Sequence, residues 1–310
     1  MGLFSFLFQK PNNTIQINPL YKVTNMWPSN DFGNFWLYRF LQHHQLHQNS
    51  IHLFSVFGKK PLLNKADINI FFTGENVHYK TFKKYSNNAI DIADVAIGFD
   101  EIEALNYVRF PLWITYLFPP DASFETIQSI VQQYNFSENV IIRPTQFAMI
   151  ASHDKRAGKR KKMVQFIEQN IGSVACAGKL LNNTDALKTK FNDHKISFLK
   201  TVAFNICPEN SNYSGYVTEK IFEAIQAGCI PIYWGSNNLP EPKILNPNAI
   251  AFYNATGKND DLINQIQLFI NQKNIEHIPR FTDNAAECIW EMYEQLRLVI
   301  TKAIAQKRLS

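Results

Sequence analysis

The amino-acid sequence predicts an α/β protein organised as two domains. Three observations carry this: short apolar runs alternate with helical patterns, several of those runs are continuous, and 310 residues exceed one average domain. The runs at 51–57, 68–72, 95–97, 147–151, 204–206 and 229–234 read as strands. Unbroken apolar side chains, in place of strict alternation, are what parallel strands covered on both faces require. Residues 32–43, 124–134, 162–170, 217–227 and 260–270 carry helical patterns between them. Strands and helices taken alternately make βαβ units, and βαβ units make parallel sheets. No fixed-period repeat and no low-complexity segment interrupts the pattern.

Composition supplies the core such a fold needs. Hydrophobic residues are 45% and charged residues 18% of the chain, a globular balance, and 25 Phe with 12 Tyr point to aromatic packing. Lys and Arg outnumber Asp and Glu by 31 to 26. A net charge of +5 suits an anionic substrate such as a nucleotide and falls short of a nucleic-acid binder's footprint. Cys176, Cys207, Cys229 and Cys288 form no C-x-x-C pair and have no histidine at metal-ligand spacing. They read as inert thiols of a reducing, cytoplasmic compartment. The apolar opening MGLFSFLF has no basic leader or cleavage site, and Lys10 interrupts it, so neither a secretory signal nor a membrane span is expected.

The domain boundary is expected near 143–152, ahead of the cationic stretch HDKRAGKRKK. Lys155, Arg156, Lys159, Arg160, Lys161 and Lys162 give that stretch a solvated face, and its lead into a helix N-terminus offers a place for phosphate. Residues 284–305 put Ile289, Met292, Leu296, Ile300 and Ala303 on one helical face before the basic end KRLS. Packing on the body is the expected role of this helix; a weak membrane-surface contact, peripheral at the inner face, is compatible with its basic end.

The chemistry concentrates in 204–236, FNICPENSNYSGYVTEKIFEAIQAGCIPIYWGS, read as strand, polar loop, helix and strand. Val217, Ile221, Ala224 and Ile225 share a helical face, and Gly228 stands where a left-handed C-cap is needed. Glu209, Asn210, Tyr216, Glu219 and Lys220 then fall at the carboxyl end of a strand, where open α/β sheets bind ligands. A diphosphate asks for a cation such as Lys220 and for free backbone N–H groups. Sugar and ribose hydroxyls ask for the acceptors Glu209, Asn210 and Glu219. Tyr216 offers a hydroxyl or a ring. Taken alone, these residues are equally those of an ordinary polar helix start.

The string itself is more specific. It resembles the donor-binding motif of the α1,3/4-fucosyltransferases, matching at Tyr216, Val217, Thr218, Glu219 and Lys220, with Pro208 where the family usually has Phe. IFFTGEN with Glu75, AIGFDE at 96–101 and RFPLW at 109–113 resemble further family segments, so the likeness runs from about 68 to 254. The resemblance implies two facing Rossmann-like domains of GT-B type: an acceptor-binding domain at 1–148 and a GDP-fucose-binding domain with a C-terminal helix at 149–310. It implies inverting transfer of L-fucose from GDP-fucose to the 3- or 4-hydroxyl of the GlcNAc or Glc in a galactose–N-acetylglucosamine or lactose acceptor. Glu75 carries over as general base. Arg160, aligned by the 157–160 turn, and Lys220 carry over as diphosphate ligands, with Glu209, Asn210, Tyr216 and Glu219 holding the donor and Glu209 the second candidate for the base. No Asp-x-Asp metal motif appears, so no cofactor is obligate and Mn2+ is at most a stimulant. The alternative is a catalytically inactive nucleotide-sugar or carbohydrate-binding protein of the same fold. An NAD-dependent oxidoreductase is disfavoured because no G-x-G-x-x-G follows a predicted strand.

Overall fold

The computed structural model describes residues 14–26, 35–59, 61–136, 142–154, 158–271 and 278–309. The opening apolar run, the start of the helix expected from 32, and Lys155, Arg156 and Ala157 lie outside the described residues. Internal contacts divide the chain into two compact units, one of residues up to Ile127 together with Glu287–Ser310, the other of Gln128–Ala286.

The first unit is built on a six-stranded sheet whose strands follow one another in chain order. β1 (Thr14–Asn18) and β2 (Tyr21–Thr24) form an antiparallel hairpin. From β2 onward the ladder is parallel, through β3 (Ile51–Phe54), β4 (Ile68–Phe72), β5 (Val95–Gly98) and β6 (Tyr107–Arg109). Every residue of β3, β4 and β5 is buried, including the polar His52 of β3 and Asn69 of β4, as strands covered on both faces require. α1 (Trp36–His43) buries Leu37, Tyr38, Phe40 and Leu41. α2 (Ile114–Leu117) follows the sheet, and the boundary between the units falls within α3 (Phe124–Asn135).

The second unit carries a wholly parallel five-stranded sheet. Its strands are β7 (Thr145–Met149), β8 (Val174–Cys176), β9 (Val202–Pro208), β10 (Ile230–Trp234) and β11 (Ala251–Phe252), in the order β11-β10-β9-β7-β8. The helices between them are α4 (Lys159–Asn170), α5 (Ala186–Thr189), α6 (Lys195–Leu199), α7 (Glu219–Gln226) and α8 (Asp260–Asn271). From β7 the chain moves outward to β8, then returns across β7 to β9 and winds the other way. That reversal opens a crevice at the carboxyl ends of β7 and β9, the topological switch point of an open α/β sheet. The first sheet, running in order, has no reversal. Gly228 takes φ 72° after α7, the left-handed stop that its position predicts.

The core of the second unit centres on Phe204, fully buried, with its ring stacked on Phe147 at 5.1 Å and tilted against Phe269 at 6.4 Å. The last helix, α9 (Ala285–Leu309), turns its aromatic side elsewhere. Tyr293 meets Trp36 at 5.6 Å and Phe110 at 5.5 Å, donates to the Pro119 carbonyl at 2.9 Å, and Lys307 pairs with Asp94 at 2.9 Å. These partners belong to the first unit, whereas a boundary at 148/149 assigns the helix to the second domain. Helical periodicity reveals an apolar face but not the surface that it covers.

The four cysteines are free thiols, three of them buried. Burial pushes Cys176 up to about 11 and Cys229 up to about 12, which suppresses thiolate reactivity. Among the described residues, no helix is long and apolar enough to cross a membrane.

Deleting the Phe204 ring should leave a void that the close-packed strands cannot collapse into. Phe204→Ala is expected to destabilise the protein by about 3–5 kcal/mol in urea unfolding. A loss below about 1 kcal/mol would show that this ring does not organise the sheet.

Candidate active site

The switch point gathers the polar residues of 204–236. β9 ends at Pro208, and the Glu209 amide continues its ladder by donating to the Trp234 carbonyl at 2.8 Å. Glu209 therefore enters the loop with a fixed direction, its side chain wholly buried. Gly235 makes room for it, since a Cβ there would press on Glu209 Cγ. One carboxylate oxygen accepts from the Thr218 amide at 2.8 Å and the Tyr233 hydroxyl at 3.4 Å. The other accepts from Thr218 Oγ1 at 2.6 Å and faces Lys220 Nζ at 3.5 Å.

Thr218 is the N-cap residue of α7, yet its hydroxyl does not cap the helix. A threonine there ordinarily accepts from a first-turn amide. Here the hydroxyl bridges charges, donating to Glu209 and accepting from Lys220 Nζ at 2.7 Å. Lys220 also meets Glu219 Oε1 at 3.4 Å, and its side chain remains 22% exposed, so the ammonium is held but still reachable. Behind it, Lys195 pairs with Glu223 at 3.1 Å and lowers the cost of keeping Glu219 ionised.

Arg160 arrives from the other side of the reversal, one residue into α4. Its guanidinium donates to the His153 carbonyl and to Asn210 Oδ1, both at 2.5 Å. Asn210 Nδ2 lies 3.5 Å from the Tyr216 hydroxyl, and the Tyr216 ring is 1% exposed. One amide side chain thus ties the end of β9 to the end of β7. The sequence offers the N-terminus of α4 as a place for phosphate, but the structure fills that place with Asp154, which accepts from the Lys161 amide at 2.9 Å and the Arg160 amide at 3.4 Å. Glu209 likewise takes the amide at the start of α7. Both helix starts thus carry their own carboxylate, each accepting at least one backbone amide there.

Charge and burial compete throughout this cluster. Burial pushes Glu209 above the ordinary carboxylate value, and Lys220 with Thr218 offsets only part of that rise. For Lys220, burial opposes the charge, but Glu219 and Glu209 outweigh it and raise the ammonium above its usual range. Burial also acts against ionised Glu219, where Lys220 and Lys195 prevail and hold the carboxyl down. Burial lowers Arg160, with Asp154 and Glu209 opposing. Hydrogen bonds join Arg160 to Asn210 and Tyr216, and Glu209 to Thr218, Lys220 and Glu219, and the charges of Arg160, Glu209, Glu219 and Lys220 couple the two sets electrostatically. Glu75 belongs to the other unit, in the loop after β4, half-buried, with its amide donating to Thr73 Oγ1 at 3.0 Å.

Three contributors escaped the sequence reading. Thr218 sits inside the recognised string, but nothing in the string says that its hydroxyl abandons the helix cap. Asp154 and the Lys195–Glu223 pair lie outside it and carry no local signal.

Two α/β units with largely parallel sheets, one with two cations near its switch point, define the class: an α/β glycosyltransferase architecture of GT-B type. Residues 21–116 match the alpha-(1,3)-fucosyltransferase FucT N-terminal domain, and residues 142–274 match the C-terminal region of glycosyltransferase family 10 (fucosyltransferase). The chain belongs to that fucosyltransferase family. An alpha-(1,3)-fucosyltransferase FucT of Helicobacter pylori is 26% identical over 81% of this chain, which spans 57% of that relative's length. A crystal structure of alpha1,3-fucosyltransferase shares the fold with TM-score 0.59 and 22% identity, over 90% of this chain and 89% of that one. One with GDP-fucose gives TM-score 0.58 at the same identity and coverage.

A raised Glu209 pKa means that the folded state binds more protons than the unfolded chain above the ordinary value of 4.5. The stability this adds is present below 4.5 and is lost as pH rises through the folded value. Denaturation of wild type and Glu209→Gln across that window should show the wild type losing stability relative to the variant as pH rises. Curves that stay parallel would mean that Glu209 titrates normally in the folded protein.

Proposed function

We propose that this chain is an inverting fucosyltransferase. It moves L-fucose from GDP-fucose to the 3- or 4-hydroxyl of the GlcNAc, or Glc, in a galactose–N-acetylglucosamine or lactose acceptor. The observation that carries the reading is the placement of Arg160 and Lys220 at the switch point of the second sheet, close enough to act on each other and on the same carboxylates, Glu209 and Glu219. The fucosyltransferase structure with GDP-fucose supports the choice of donor.

In this reading the reaction is one displacement at the anomeric carbon of fucose, with no covalent enzyme intermediate. Glu75 accepts the proton of the attacking hydroxyl. The departing nucleoside diphosphate gains negative charge as the glycosidic bond breaks, and Arg160 and Lys220 are fixed cations aimed at that charge. They take the part a divalent ion plays elsewhere, so no metal is obligate. Glu219, Asn210 and Tyr216 hold ribose and sugar hydroxyls, while Glu209 supports Lys220 and Thr218 from behind. The buried thiols suit a cytoplasmic location. At the end of α9, Lys307 bonds Asp94 and the exposed Arg308 bonds Asn49.

The test is turnover of GDP-fucose with lactose and N-acetyllactosamine in the presence of EDTA. Wild type should form fucosylated product without added metal. Glu75→Gln should lower kcat by about 10²–10³-fold with donor affinity retained. Arg160→Ala and Lys220→Ala should each lower kcat/KM by about 10²-fold. Donor binding without transfer to any acceptor would favour the non-catalytic binding protein, and activity surviving Glu75→Gln would shift the base role to another carboxylate.

A further inference from the structure

Strain and side-chain bonds in the first unit converge on one carboxylate that the proposed chemistry does not use. Asp100 follows β5 within the AIGFDE segment. Its Oδ2 accepts from Asn88 Nδ2 at 2.6 Å, and its backbone carbonyl accepts from the Tyr107 hydroxyl at 3.0 Å. Asn88 is wholly buried and sits at φ 56°, and the next residue, Ala89, at φ 58°. Left-handed backbone costs an alanine about 1 kcal/mol or more, and it persists where the surroundings over-determine it. Gly98 completes the arrangement, because a Cβ there would run into Asn88 Oδ1 and crowd the Tyr107 hydroxyl. Asp100 is thus aimed by three elements: the end of β5, the turn at Asn88 and the start of β6.

Its remaining partner is His78. The imidazole Nε2 lies 2.9 Å from both carboxylate oxygens, with the pair largely shielded, side chains 23% and 11% exposed. His78 closes the loop that carries Glu75. Within that loop, Thr73 Oγ1 receives the Glu75 amide at 3.0 Å, and buried Asn76 receives the His78 amide at 3.0 Å and the Tyr79 amide at 3.1 Å. Gly74 packs directly on the Leu112 side chain. Glu75 is held between two fixed points, Gly74 on Leu112 and His78 on Asp100.

We infer that the His78–Asp100 pair is the clamp that positions Glu75 for proton abstraction. His78 and Asp100 are positioning residues in this assignment, which rests on the fucosyl-transfer reading. A general base must sit within hydrogen-bonding reach of its proton, and an error near 1 Å in placement costs about 10²-fold in rate. Outer-shell partners that orient metal ligands cost about 10–100-fold when lost, and a pair that orients a general base is expected to act on the same scale. A glutamine at 78 keeps an N–H donor for Asp100, whereas alanine does not.

The test uses the full chain with His78→Ala, His78→Gln and Asp100→Asn, read in two ways. Amide hydrogen exchange over 73–79 reports the anchor without any need for turnover: His78→Ala should raise exchange there about tenfold, and His78→Gln should restore protection. In fucosyl transfer, His78→Ala should lower kcat about 10–100-fold with the GDP-fucose KM within about twofold of wild type, and His78→Gln should recover most of that loss. Asp100→Asn should fall between the two. Faster exchange with unchanged kcat would overturn the positioning role, as would unchanged exchange in His78→Ala. Should His78→Ala not fold, a His78→Gln variant with wild-type folding and donor KM but no recovered kcat would overturn it equally. If wild type transfers no fucose, the functional reading fails, while the exchange data still decide whether His78 and Asp100 anchor the loop.

Discussion

A lysine ammonium kept charged in a largely buried place sets the terms for the rest of the second unit. Lys220 is stable there only because Glu219 and Glu209 flank it and the Thr218 hydroxyl completes its donors. Removing a charge from water costs several kcal/mol unless its partners are close and well aimed, and breaking one member of such a group strands the others. Each partner is therefore supported in turn: Glu209 by Tyr233 and the Thr218 amide, Glu219 by the positive field of Lys195. The arrangement is expensive as a stabilising device. Under the proposed function its role is a phosphate site prepared in advance.

The topology explains why the site is where it is. Chain reversal between β7 and β9 leaves the ends of two adjacent parallel strands without a covering connection, and the segments leaving those ends carry Arg160 and Asn210. Asp154 and Glu209 each accept a backbone amide at a helix start, and the Thr218 hydroxyl bonds Glu209 and Lys220 in place of its helix. The proposed reading therefore gives charge recognition to a guanidinium and an ammonium, which keep their charge at any physiological pH. The first unit solves another problem. Its sheet has no reversal, and Glu75 lies in the loop after β4, its amide bonded to Thr73 Oγ1.

Sequence reading worked where the physical signal was local. The mainly apolar run at 68–72 is β4 with the same limits, and α3 and α8 extend one residue past their predicted ends. α4 starts three residues earlier than its apolar pattern suggests, because Lys159, Arg160 and Lys161 carry no periodicity. β6, β8 and β11 have two or three residues each, too few to show a period, and the β1–β2 hairpin alternates weakly. At the site, Glu219 and Lys220 could be named from their string. The partners that make them a unit could not, because a side chain 50 residues away, such as Asn210 from Arg160, leaves no mark on local spacing.

The sequence by itself determined the α/β class, the strand–loop–helix–strand segment that holds the cations, and the family likeness, since all three are written in contiguous residues. Only the tertiary structure decided that α9 packs on the first unit, that Asp154 occupies the start of α4, and that Thr218 serves charge in place of its helix. It also decided that Asn88, Asp100 and His78 meet behind the loop of Glu75. Each of these depends on which surfaces meet once the strands have paired, and strand order is set by the burial of whole sheets, not by any one segment.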